Sequence, residues 1–203
     1  MAIIELSPPA GSLRELNSAL PRVTRSAAVI RGGLRAEPAT ITTPRHPHRV
    51  YVLLLPDILA GQGLAAARLV GWRYILMDGT QAVGAAEVNT NPTETEHNFS
   101  LVHEGQGPQV LAALNLLETV PQVRNANYEL RLLRIPALMT VTLWLHAGTV
   151  DADLLIPVPP VNPHFVQGEL YTQAAWEAAM LIAANQEETL SQTRGIRSGP
   201  RPL

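Results

Sequence analysis

The dipeptide Asp78-Gly79, set between two apolar runs, constrains this chain more than any other feature. Residues 72–77 precede it and residues 81–88 follow. Asp and Gly both accept positive φ, so the pair favours a type I′ turn joining two antiparallel strands. A second pair of strand-like runs, 128–135 and 139–146, flanks Pro136-Ala137. In the later run Met139, Val141, Leu143 and Leu145 alternate with Thr140, Thr142, Trp144 and His146, the two-residue period of a strand. In the earlier run the alternation slips at Leu133-Arg134, which predicts a bulge. Residues 50–55, 98–103 and 153–156 read as three further strands.

Helical signals lie between and around these runs. Ser12-Leu13-Arg14-Glu15 has capping-box form, with Leu13, Leu16 and Leu20 at helical spacing until Pro21. Residues 57–68 are helical in part, interrupted by Gly61 and Gly63. Gly107-Pro108 opens another helix, striped by Val110, Leu111, Leu114 and Leu117 and closed by Pro121. Residues 169–190 form the last. It carries Leu170, Ala174, Ala178, Leu181 and Ile182 on one side and Trp176, Met180 and Ala183 on another. A helix apolar over that much of its girth is buried on two sides, by the core and by something else.

Hairpins interleaved with helices predict an α+β fold, a mostly antiparallel sheet with helices packed on one face. Gly32-Gly33, Pro38, Pro44 and Pro47 make residues 31–48 an extended arm. The expected organisation is an N-terminal helix and arm over 1–48, a single domain over 49–190, and a flexible Arg/Gly/Pro tail over 191–203. Residues 157–163 hold four prolines in seven positions and read as a rigid polyproline connector.

Composition narrows the chemistry. All 15 basic residues are Arg, and Cys is absent. Schiff-base and P-loop lysines, thiol nucleophiles, disulfides and cysteine-ligated metals are therefore excluded. No Gly-x-Gly-x-x-Gly opens a helix, so no nucleotide cofactor is expected. No run reaches the ~18 apolar residues of a membrane span. Glu5 and two prolines stand where a signal peptide would place basic and then apolar residues, so the expected compartment is the cytoplasm. Arg-only, Ala/Leu/Pro-rich usage suggests a GC-rich bacterial or phage genome. Residues 1–50 carry seven Arg against three Glu, whereas residues 51–160 carry five Arg against ten acids. A basic arm of this kind binds an acidic partner such as nucleic acid, or lies across the acidic middle of its own chain; the spread of single Arg without interleaved aromatics favours the latter.

One cluster offers catalytic or metal-binding chemistry. Glu87, Glu94, Glu96, His97, His103 and Glu104 lie within eighteen residues, and carboxylates with imidazoles bind divalent metals or act as acid and base. His97, His103 and Glu104 are its catalytic candidates. Thr93 with Glu96 has capping-box form, a structural use for one acid. His46-Pro47-His48 resembles a metal-binding pair, but the proline turns the rings apart and Arg45 and Arg49 flank them. Asp151 and Asp153 fit turn chemistry after Gly148. Ser100 and His103 lack an orienting acid. Trp144 and His146 line either a ligand surface or the underside of a covering element.

These features favour a non-catalytic binding or assembly subunit of a bacterial or phage complex, partnered by another protein or by itself. Its contact residues are expected to be Trp176, Met180, Arg194, Arg197 and Arg201. A metal-dependent hydrolase or nuclease-like enzyme built on residues 87–104 is the alternative.

Overall fold

In the computed structural model the described residues are 3–30, 43–103, 106–148 and 152–197. Nine strands form one sheet: β1 (Ile3–Ile4), β2 (Thr43–Val52), β3 (Arg68–Asp78), β4 (Gln81–Thr90), β5 (His97–His103), β6 (Tyr128–Ile135), β7 (Thr140–His146), β8 (Leu154–Val158) and β9 (Tyr171–Thr172). Among the described residues five α-helices accompany them: α1 (Ala10–Ile30), α2 (Leu55–Leu59), α3 (Gln106–Leu117), α4 (Pro121–Arg124) and α5 (Gln173–Arg197). Spatial order is β5-β4-β3-β2-β6-β7-β8-β9, and β1 lies beside β6 ahead of β2. Pairing is antiparallel except where β1 and β2 run parallel to β6. Among the described residues, no helix is long and apolar enough to cross a membrane.

The α+β class and the mostly antiparallel sheet match the pattern in the sequence. The helices, however, occupy both faces. Val110, Leu114 and Leu117 of α3 and Val123 of α4 pack on one face with Val50, Ile75, Met77, Leu132 and Leu143. On the other face, Leu16 and Leu20 of α1 cover Trp72, Tyr74, Leu76, Ala86 and Val88. There too Trp176, Met180 and Ala184 of α5 cover Leu133, Ile135, Trp144 and Leu155, together with Ile58 of α2. Double coverage explains the broken alternation in β6. Leu132 and Leu133 are both buried, on opposite faces, and the pairing of β6 with β7 is unbroken from Glu129 to Ile135. No bulge is needed at Leu133-Arg134.

Local differences have local causes. Helix α1 runs through Pro21, and Ser12 is buried inside it with its hydroxyl 2.7 Å from the Tyr74 hydroxyl, so Ser12 is not a cap. Pro121 opens the short helix α4 rather than closing α3. The Pro136-Ala137 turn is a 3-10 turn, Pro136–Leu138, that leaves Met139 left-handed. Residues 169–172 are not helical: Tyr171 and Thr172 pair with β8, and Thr172 Oγ1 then caps α5 by accepting from the Ala175 N–H. Strand β2 starts at Thr43, so residues 43–48, expected in the arm, belong to the sheet. Residue 46 has positive φ, and the register with β3 slips between Arg45 and His48, which lets Pro44 and Pro47 enter a strand. Pro157 likewise lies in β8. The rest of the expected arm, 31–42, and the end of the tail, 198–203, lie outside the described residues.

Candidate functional site

A polar centre lies on the α3 face of the sheet. The alternation that buries Ile75 and Met77 on this face also turns Arg73 towards it, and β2 sets His48 directly opposite. Across the hairpin, Arg73 pairs with Glu87. The two turn residues are Gly79-Thr80, one step beyond the expected Asp78-Gly79, with Asp78 paired to Gln81; continued strictly, that register would pair Arg73 with Ala86. Val83 is left without a partner between Leu76/Gly84 and Met77/Ala82, and that extra residue moves Glu87 into register. Strand β5 contributes His103, and β6 contributes Arg134 from the far side of β2.

Two of these groups, Arg73 and Glu87, are buried charges. The Arg73 and Glu87 side chains are 1% and 3% exposed. Arg73 Nε donates to Glu87 Oε1 at 2.7 Å, and its Nη2 donates to the same oxygen. Arg134 Nη1 donates to Glu87 Oε2 at 2.9 Å. His103 Nε2 stops 3.7 Å from Glu87 Oε1. His48 Nδ1 donates to the His46 carbonyl at 2.7 Å. Burial pulls the His48 pKa from 6.5 down to about 4, and Arg73 acts in the same direction against the His46 carbonyl and Glu87. Burial, then Arg73, also lowers the His103 pKa, with Glu87 opposing and Arg134 adding to the fall. Both rings are therefore neutral near pH 7.

The acidic loop does not converge. Of its described members, only Glu87 and His103 meet, and two guanidinium groups already hold Glu87. That setting repels a cation. Glu94 lies on the opposite face, where it accepts from Arg49 Nη2 at 2.9 Å and from Trp72 Nε1 at 2.7 Å. Glu96 is exposed, and the His97 ring lies against Gly11 of α1. No helix follows Thr93; instead Asn91 Oδ1 organises the turn by accepting from the Thr95 and Glu96 N–H groups. Glu104 lies outside the described residues. Among the described residues, no three His, Asp or Glu side chains are placed to hold a metal ion.

On the α1/α5 face a ladder of ion pairs fills the strip between the two helices. Arg49 bridges Glu94 and Glu129, and Arg131 holds Glu129 at 2.9 and 2.8 Å while lying over the Tyr51 and Trp144 rings. Arg49, assigned by sequence to the start of the domain beside the arm, thus crosses the acidic middle of its own chain. Beside the ladder, buried Asp153 accepts from Trp144 Nε1 at 2.6 Å and from the Ala147 N–H at 2.9 Å, and pairs with His146 Nδ1 at 3.0 Å. This is turn and strand support, with Asp151 outside the described residues. An Asp–His pair acts on a nucleophile only when a hydroxyl or thiol reaches the other ring nitrogen. Among the described residues none does.

Comparison with known protein families, curated proteins and solved structures finds no match.

The expected contact residues divide. Trp176 and Met180 are core residues, not partner residues, because α5 turns that side onto Leu155, Phe165 and Leu133. Its outer side presents Ala174, Ala178, Leu181 and Ile182 to solvent, with Leu181 and Ile182 40% and 55% exposed. The side chains of Arg194 and Arg197 and all of Arg201 lie outside what is described. Sequence reasoning missed Arg73, His48 and Arg134. The available signal was a charge inside an apolar strand, Arg73 among residues 72–77, which demands a buried partner.

Proposed function

We propose that this chain is a non-catalytic binding or assembly subunit that docks through the outer side of α5. One observation carries the reading: α5 is apolar on two sides, and the core takes only one of them. Ala174, Ala178, Leu181 and Ile182 follow helical spacing, carry no charge and remain exposed. An uncharged stripe is self-complementary across a two-fold axis, so the first occupant is a second copy of the chain. Residues 191–197, expected in the tail and carrying Arg194 and Arg197, belong to the same helix, and Arg is favoured where planar, bidentate contacts form at interfaces. The Arg-only, Ala/Leu/Pro-rich composition supports a bacterial or phage setting for such a complex.

Sedimentation velocity of the full chain across a concentration series tests this. The wild type is expected above monomer mass, whereas the double variant Leu181→Glu/Ile182→Glu is expected to be monomeric with an unchanged thermal melt, since both positions are exposed. A wild type that stays monomeric throughout, or a variant that assembles equally well, overturns the proposal.

A further inference from the structure

The polar centre under α3 is not balanced in charge or in hydrogen bonds. Two guanidinium groups, which stay protonated in proteins, face the single carboxylate of Glu87. Arg73 Nη1 and Arg134 Nε are buried donors with no acceptor among the described residues. Unmade buried hydrogen bonds are costly, so native proteins rarely leave several together. Two acceptors nearby are also unpartnered. Because His48 Nδ1 donates to a carbonyl, the neutral ring leaves Nε2 as a bare acceptor, and Gln106 Oε1 at the start of α3 is another. Arg134 and Gln106 both line an open cavity of ≈ 480 Å³, together with Val52, Thr140 and Pro160. Arg134, at 27% side-chain exposure, thus joins the buried centre to open space.

We propose that this cavity binds a small oxyanion that still carries a proton, the chemistry of hydrogen phosphate or of a phosphate monoester, on Arg134 with Arg73 behind it. The surplus guanidinium charge selects an anion. The free Arg N–H groups take its charged oxygens, in the planar geometry that suits phosphate. Its protonated oxygen donates to Gln106 Oε1 on the cavity wall, which a carboxylate has no hydrogen to satisfy. The site is separate from the outer side of α5 and stands or falls independently of assembly.

Isothermal titration of the full chain with inorganic phosphate, glycerol phosphate and acetate, at matched ionic strength, tests the proposal. One saturable phosphate or glycerol phosphate site is expected, with acetate weaker. Arg134→Gln should weaken it at least about tenfold, the value of a charge-assisted hydrogen bond. Arg124→Gln, which removes the same charge from an exposed position, should leave it unchanged. Tighter binding of glycerol phosphate identifies a monoester as the ligand, and tighter binding of inorganic phosphate identifies the free ion. Absence of saturable binding, equal binding of acetate, or an equal loss in Arg124→Gln overturns the site. If Arg134→Gln does not fold, the His103 ring resonances of the wild type should shift on adding phosphate but not acetate; no shift overturns it as well.

Discussion

Acidification should destabilise this protein through His48. The imidazole is fully buried on β2, opposite Arg73, with Glu87 of β4, His103 of β5 and Arg134 of β6 on the same face of the sheet. Its pKa is about 4 in the folded chain against 6.5 for the free side chain, with burial as the main cause. A depressed imidazole pKa means that the unfolded chain takes up a proton which the folded chain refuses. Above 6.5 neither state is protonated and nothing is lost. As pH falls from 6.5 to about 4, stability falls by about 1.4 kcal/mol per pH unit, reaching a loss of about 3 kcal/mol before levelling off. Glu129 adds a further loss at lower pH: although burial raises its pKa, Arg131 and Arg49 hold it below the ordinary value. Urea unfolding from about pH 7.5 to about pH 4.5, for wild type and His48→Asn, isolates the histidine. The Asn amide keeps a donor for the His46 carbonyl but does not titrate. Across that range the wild type should lose about 2.5 kcal/mol more than the variant. An identical pH slope in both proteins, or a folded-state NMR titration placing His48 near 6.5, would refute the reasoning.

Three other substitutions probe the same architecture. Glu87→Gln leaves the buried Arg73 guanidinium without its counter-charge and should cost about 3–5 kcal/mol in chemical denaturation. Gly107→Ala reverses the usual sign: alanine ordinarily favours a helix by about 1 kcal/mol, but here its Cβ would overlap the Gly84 carbonyl oxygen, and a loss of about 1–3 kcal/mol is expected in thermal melts. Trp176→Ala should cost about 3–5 kcal/mol by opening a cavity against Phe165, whose ring stacks on it at 5.9 Å. A Trp176→Ala protein as stable as the wild type would return that residue to the surface.

Much of the fold was legible because its signals are local. The β3–β4 hairpin follows from Asp78-Gly79 and the apolar runs beside it. Strands β6 and β7 follow from alternation, and α3 and α5 from stripes at helical spacing. These patterns depend on backbone geometry and on neighbours a few residues away. Even the two apolar sides of α5 were visible, though not which one meets the sheet.

The remainder rests on relations between distant segments. Whether Trp176 or Ile182 faces the core depends on where β6 and β8 lie beneath α5. The acidic loop looked like one site because its members are close in sequence. Strand alternation and a positive-φ turn at Glu94 send Glu87 and Glu94 to opposite faces of one sheet. In the other direction, His48, Arg73, Glu87, His103 and Arg134 are up to 86 residues apart, and pairing of five strands brings them together. A single unpaired residue, Val83, sets which side chain Arg73 meets. The sequence by itself determined most of the segments that become strands and helices, where the signal is local. Only the tertiary structure decided which charges share a face, because register and strand order are settled by packing across the whole sheet.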